Sequence, residues 1–237
     1  MSPAFLMVTQ KMGGIVAGAF DSGGRMLGFV FGMTGVSRGQ VCHWSHMLAV
    51  RASHRDQGIG ARLKDYQKRS LLRSGVESMR WTYDPLVARN AHVNLNRLGV
   101  RVIEYVPDFY GSETKSSLDR GIGTDRFVVE WSFGEQVDHP VPSATDADAV
   151  HVVDSDADEG RPQPVSHPFT SHPAVTVAVP SDIQTLKTVD LKVARAWRRA
   201  TRAAFTHYLG QGYRVVGFYA SPASGRGYRL EAPERTI

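Results

Sequence analysis

Cysteine is almost missing from this chain: Cys42 is the only one in 237 residues. A lone thiol excludes an internal disulfide framework and a cysteine-based zinc site. Long apolar runs are missing too. No window approaches 18 consecutive apolar residues, so no membrane-spanning helix is expected. The start, MSPAFLMVTQKMGG, lacks a basic stretch followed by an apolar core, so a secretory leader is not expected. A soluble cytoplasmic protein without a bound metal is the expectation. What remains is ordinary for a globular protein: 42% hydrophobic and 22% charged residues, in a chain long enough to bury a real core.

The formal net charge of +5 is unevenly placed. Residues 1–137 carry 17 Lys and Arg against 12 Asp and Glu; residues 138–172 carry 1 against 7; residues 173–237 carry 10 against 4. The outer segments suit anionic ligands, although single charges mostly solvate helix faces. The acidic middle segment is rich in Pro, Asp and Ser and has little periodicity. It reads as a mobile linker between a domain at 1–137 and a segment at 173–237. Its His139, His151, His167 and His172 fit no metal-ligand spacing.

Alternation of apolar residues predicts strands at 15–20 and 25–33, joined by a glycine turn, and a long strand at 40–50. A helix follows over about 58–74, with Ile59, Leu63 and Tyr66 on one face, Arg62, Arg69 and Arg73 on another, and Gly75 as its stop. A strand at 76–84 ends before Pro85. A short helix at 88–98 is closed by Gly99, and strands at 100–106 and 125–133 complete a mixed α/β sheet.

The strand-to-helix turn SHRDQGIGARL (53–63) carries the chemistry. Gly58 and Gly60 remove side chains where backbone can approach a ligand, and the free N–H groups of residues 56–61 point out of a helix start whose dipole favours anions. That is a cradle for a pyrophosphate. Tight strand–helix packing is the competing reason for the same two glycines. The dinucleotide fingerprint fails because Leu63 stands where its third glycine belongs, and the P-loop fails because no Gly-Lys-Ser/Thr follows.

In its setting, LAV-x-x-x-x-R-x-x-G-x-G-A-x-L resembles the acyl-CoA pyrophosphate motif of the GNAT (Gcn5-related) N-acyltransferase superfamily, with Arg55, Gly58 and Gly60 at its key positions. Asn90 followed by LNRLGV resembles the second motif of that family, with Arg97, Gly99 and Val100 at its end. The resemblance covers about residues 13–133. It implies a mixed, mostly antiparallel sheet flanked by helices, and acetyl-CoA or another acyl-CoA as co-substrate. It implies that the strand at 41–50 splays from the strand at 76–84, leaving a gap for the pantetheine arm along Leu48, Ala49 and Val50. The loop Arg55, Asp56, Gln57, Gly58, Ile59, Gly60 and Ala61 would hold the diphosphate, and Asn90 the arm or the acceptor end. The Leu48 N–H would face the thioester oxygen, a donor type worth about 3 kcal/mol in hydrolases.

An amine must lose a proton to attack, which calls for a base. His46 and Asp84 are the candidates; the bland alternatives are a core histidine and a carboxylate capping the turn before Pro85. The tyrosine that many family members use to protonate the leaving thiolate is replaced here by Leu95, so Tyr83, Tyr105 and Tyr110 are the candidate donors, or the thiolate leaves unaided. Only about 14 residues precede the first strand, so the usual N-terminal acceptor region is expected to be short or missing.

Residues 189–209 form an amphipathic helix: Val193, Trp197, Ala200, Ala204 and Tyr208 on one stripe, Arg195, Arg198, Arg199 and Arg202 opposite. Two strands follow. Such a helix and hairpin are too small to stand alone and are expected to dock on the first domain or in a homodimer. The arginine face raises nucleic acid as a partner, but no helix-turn-helix or aromatic stacking set accompanies it. A small primary amine is the expected acceptor; an acyl-CoA sensor without catalysis is the alternative.

Overall fold

The computed structural model describes residues 1–37, 39–111, 116–134, 148–156, 162–221 and 225–234. The chain resolves into two compact units: unit 1, Met1–Trp81 and Glu130–Gln136, and unit 2, Thr82–Val129 and Val137–Ile237. The architecture is mixed α/β, with two mostly antiparallel sheets flanked by helices.

Unit 1 opens with α1 (Pro3–Lys11), a helix not foreseen from the sequence. Its start was legible in retrospect: Ser2 accepts the Phe5 N–H at 3.3 Å and proline stands at the first helical position. β1 (Ile15–Phe20), β2 (Met26–Ser37) and β3 (Gln40–Val50) form an antiparallel meander. α2 (Ile59–Arg73) covers it, burying Ile59, Leu63, Gln67 and Leu71, spaced four apart. Tyr66, expected on that stripe, is exposed; the buried row runs through Gln67 instead. The first part of β4 (Ser78–Tyr83) lies beside β3, and the end of β6 (Arg126–Ser132) beside β4. The core here is built on Val30, Phe31, Leu63, Leu71, Met79 and Trp81.

Unit 2 takes up the rest of β4 and β6, with β5 (Arg101–Val106) next to β6. The segment expected as one short helix divides into α3 (Ala88–Ala91) and a wider π-helical turn, His92–Arg97. The region read as a linker contains two paired strands, β7 (Val150–Asp156) and β8 (Gln163–Ser166). β7 also pairs in parallel with β9 (Ala174–Ala178), where Val152 and Val153 are buried. Their apolar residues are few, so the pattern was masked by the surrounding acids. Residues 138–147 and 157–161 of that segment, with His139, lie outside the described residues. His151 Nδ1 meets Thr176 Oγ1 at 2.7 Å, and His172 Nδ1 lies 2.9 Å from the Ala174 carbonyl oxygen.

The helix expected at 189–209 is preceded by α4 (Ile183–Val189), capped by Asp182. α5 (Leu191–Gly210) starts anew because Asp190 accepts the N–H groups of Lys192 and Val193 at 2.9 and 3.1 Å. β10 (Arg214–Ser221) and β11 (Gly225–Glu231) close a sheet ordered β10-β11-β9-β7-β8. Phe127, Phe205 and Tyr228 pack ring to ring, with centroids 4.7 to 5.4 Å apart. Residues 82–129 thus share a core with the C-terminal segment, a different partition from the expected break after residue 137.

Candidate active site

The β3–α2 turn is made by two left-handed residues, Asp56 at φ 65° and Gly58 at φ 74°. Gly58 is the α2 N-cap and offers no side chain to cap with. The first helical bond runs from Arg62 N–H to the Gly58 oxygen, at 3.0 Å. Among the described residues, the backbone N–H groups of Gln57, Gly58, Ile59, Gly60 and Ala61 have no protein acceptor. These donors lie at a helix start, whose dipole favours negative charge. Arg55 and Arg62 are exposed on either side of it.

The packing explanation for the two glycines meets a clear geometric answer. A Cβ on Gly60 would stand in ordinary contact, 3.6 Å from Leu48 Cδ2 and 4.0 Å from Val50 Cγ2. Gly58 would meet nothing within 4 Å; only its φ requires glycine. The close approach falls to Gly28 on β2, where a Cβ would lie 2.8 Å from the Ala49 oxygen and 3.4 Å from Ile59. A side chain at Gly60 would therefore touch Leu48 and Val50 without the close approach that forbids one at Gly28.

β3 leads into this turn with an irregular ladder. Phe31 faces Met47 and Gly32 faces Ser45, so His46 is the extra residue of a β-bulge. The bulge presents an exposed His46 ring, edge-on to Phe31 at 6.0 Å. On its other side β3 pairs with β4 through two residue pairs only, His43 with Met79 and Trp44 with Arg80. Beyond Trp44 the β3 backbone has no strand on that side among the described residues. Leu48 and Ala49 are exposed and Val50 is half-buried.

Sequence reasoning missed a hydrogen-bonded chain behind β3. Lys64 Nζ donates to Ser45 Oγ at 2.8 Å, Ser45 donates to Gln67 Oε1 at 2.9 Å, and Gln67 Nε2 reaches His43 Nε2 at 3.1 Å. Thr34 gives its single hydroxyl hydrogen to the Gly13 oxygen at 2.8 Å, so His43 Nδ1, 3.0 Å away, donates to Thr34. The histidine is thus the Nδ1–H tautomer. Burial, with the Lys64 charge second, holds His43 down to about 4. Burial likewise pushes Lys64 down to about 7, and its Nζ lies 3.7 Å over the Trp81 ring. The legible signal was Gln67 occupying a core position of the helical stripe.

The remaining candidates belong to unit 2. Asp84 is buried and committed: Oδ1 accepts the Leu86 N–H at 2.9 Å and Oδ2 the Arg198 guanidinium at 2.6 Å. That is a capped turn before α3 with a buried ion pair, not an unengaged base. Tyr83 is buried, and burial raises its pKa well above the usual phenol value. Tyr105 donates to Asp125, and Tyr110 Oη lies 3.2 Å from Thr82 Oγ1. Asn90 is exposed on α3, and Leu95 is buried. Of the expected solvated arginine face of α5, Arg195 and Arg199 are exposed, Arg202 is half-buried and Arg198 is buried. Arg198 holds Asp84, Arg202 holds Asp108 and Asp125, and Arg195 donates to the Gly121 oxygen.

Parts of the chain overlay solved acetyltransferases. No family model and no curated protein matches it. A GNAT family acetyltransferase from Elizabethkingia anophelis with acetyl-CoA bound overlaps 55% of this chain and 83% of its own, at 14% identity and a TM-score of 0.45. Naa20 from Chaetomium thermophilum, in complex with a bisubstrate analogue, overlaps 49% of this chain at 17% identity and a TM-score of 0.42; the chain spans 65% of that structure. An aminoglycoside 6'-N-acetyltransferase complexed with coenzyme A overlaps 55% at 15% identity and a TM-score of 0.40. No helix among the described residues is long and apolar enough to cross a membrane.

Proposed function

We propose that this chain is an acyl-CoA-dependent N-acyltransferase of GNAT type that moves an acyl group, acetyl in the first instance, directly to a small primary amine. The observation that carries the reading is the run of unclaimed N–H groups from Gln57 to Ala61, at the foot of a strand whose far side is open. The diphosphate of CoA docks on those amides, with Arg55 and Arg62 adding charge. The pantetheine arm lies along Leu48 to Val50 as an added strand, which supplies the partners that β3 lacks.

Catalysis then rests on placement. Holding amine and thioester together supplies much of the rate. The Leu48 N–H is assigned to the developing oxyanion. His46, thrown outward by the bulge, is assigned as the base that takes the amine proton, the task for which imidazole suits neutral pH. Asp84, held by Arg198 and Leu86, is assigned to ordering the turn after β4. The thiolate of CoA leaves without a tyrosine donor.

The test is calorimetric titration with CoA, followed by incubation with acetyl-CoA and a panel of small amines while free thiol is recorded. Binding with amine-dependent thiol release is expected. Binding without release fits a sensor rather than an enzyme. No binding ends the reading.

A further inference from the structure

The β3–β4 ladder stops where a lysine enters. Continuing its register would pair Ser45 with Trp81, but those are the two residues that Lys64 touches: Ser45 Oγ at 2.8 Å and the Trp81 ring at 3.7 Å. Lys64 has no ion pair to a carboxylate among the described residues. Nearby acid is already used, since Glu130 on β6 pairs with Arg80 at 2.7 Å, and Lys68 on the same helix lies over Trp131. Every hydrogen in the chain from Lys64 to the Gly13 oxygen points one way, so Ser45 can only accept from the amine. The amine is oriented, partly shielded from water and lacks a counter-ion. Burial favours its neutral form near pH 7.

The open edge of β3 runs from Ser45 at this fork to Val50 at the cradle, about 16 Å at the usual strand rise. An acyl-pantetheine laid along it from the Gly58 turn, and slid past the Leu48 placement assigned above, directs its thioester end toward Lys64. We propose that Lys64 is a self-acylation site, its amine attacking the thioester of an acyl-CoA held on β3. The Nζ lone pair forms a bond to the carbonyl carbon, the C–S bond breaks, and its electron pair leaves on sulfur. The thiolate takes the surplus proton from nitrogen, so the products are an amide and free CoA. An amide does not pass its acyl group on, so the product is a mark, not an intermediate. It removes the nucleophilic amine from the fork and fills the gap beside Ser45 and Trp81. A chain with acyl-CoA and no acceptor thereby silences itself. This inference rests on the acyl-CoA reading above.

The test uses the native full-length chain with acetyl-CoA and no amine, mapped by peptide mass spectrometry, beside a CoA titration and a urea-unfolded control. Lys64 is expected to acquire acetyl roughly 10–100-fold faster than the other five lysines near neutral pH, because a far larger share of it is unprotonated. The preference should vanish in urea, and Lys64→Met should remove the product while CoA still binds. CoA binding with acetyl spread over all lysines, or with Lys64 untouched, overturns the proposal and leaves the acyltransferase reading standing. Absence of CoA binding overturns that reading and, with it, CoA as the acyl donor to Lys64.

Discussion

Gly60→Val separates ligand from fold. Gly60 sits in the first turn of α2 without a left-handed backbone, and its Cβ direction is open to ordinary contacts with Leu48 and Val50. Valine is a better helix former than glycine by a few tenths of a kcal/mol, so thermal stability should hold or rise slightly. Binding should move the other way. The added isopropyl group fills space beside Leu48 and Val50, at the end of β3, and should crowd a diphosphate closing on the adjoining amides. A hydrogen bond to a charged group contributes about 1.5–3 kcal/mol, so losing one or two costs about 2–4 kcal/mol. At 1.4 kcal/mol per tenfold, the CoA dissociation constant rises roughly 30- to 700-fold. Calorimetry reads the affinity and a melting curve reads the fold. Gly58→Ala is the informative contrast: at φ 74° it should cost stability by about 1–2 kcal/mol while adding little bulk. A Gly60→Val chain that melts normally and binds CoA as tightly as before would refute the cradle.

Arg198→Met should lower unfolding free energy in urea by about 3 kcal/mol, because Asp84 is left buried beside only the more distant Arg126; pairing it with Asp84→Asn should restore much of the loss. His43 and Lys64 both have depressed folded-state pKa values, so each supports folding at high pH and loses that support as pH falls. For His43 the loss runs from its ordinary 6.5 down to about 4, and His43→Gln should flatten acid denaturation in that window. For Lys64 it runs from 10.5 down to about 7, so between about pH 7 and 9 the wild type should gain about 1–2 kcal/mol relative to Lys64→Met. His46→Gln should lower amine-dependent turnover about 100-fold or more, with CoA affinity unchanged in the same titration.

The elements with short-range causes were legible in the residues. β3 was readable end to end from its apolar and aromatic run, and α2 from its periodicity. The bare amides of the turn were readable because a glycine turn and a helix start are local events, whose free N–H groups follow from backbone geometry alone. What resisted reading depends on residues that meet only after folding. Lys64 looks like any solvated helix lysine until Ser45 and Trp81 close around it. Arg198 belongs to a helix face that seems built for water until Asp84, 114 positions away, arrives beneath it. β7 and β8 carry too few apolar residues to announce themselves; β7 becomes a strand because β9 offers an edge to pair with, and β8 because β7 then does. The sequence by itself determined where the chain turns, which turn exposes bare amides, and which strand leads into it. The tertiary structure alone decided which charges leave water, since desolvation is set by neighbours distant along the chain. It also decided that the β3–β4 ladder ends after two pairs, since strand pairing is a property of two segments at once.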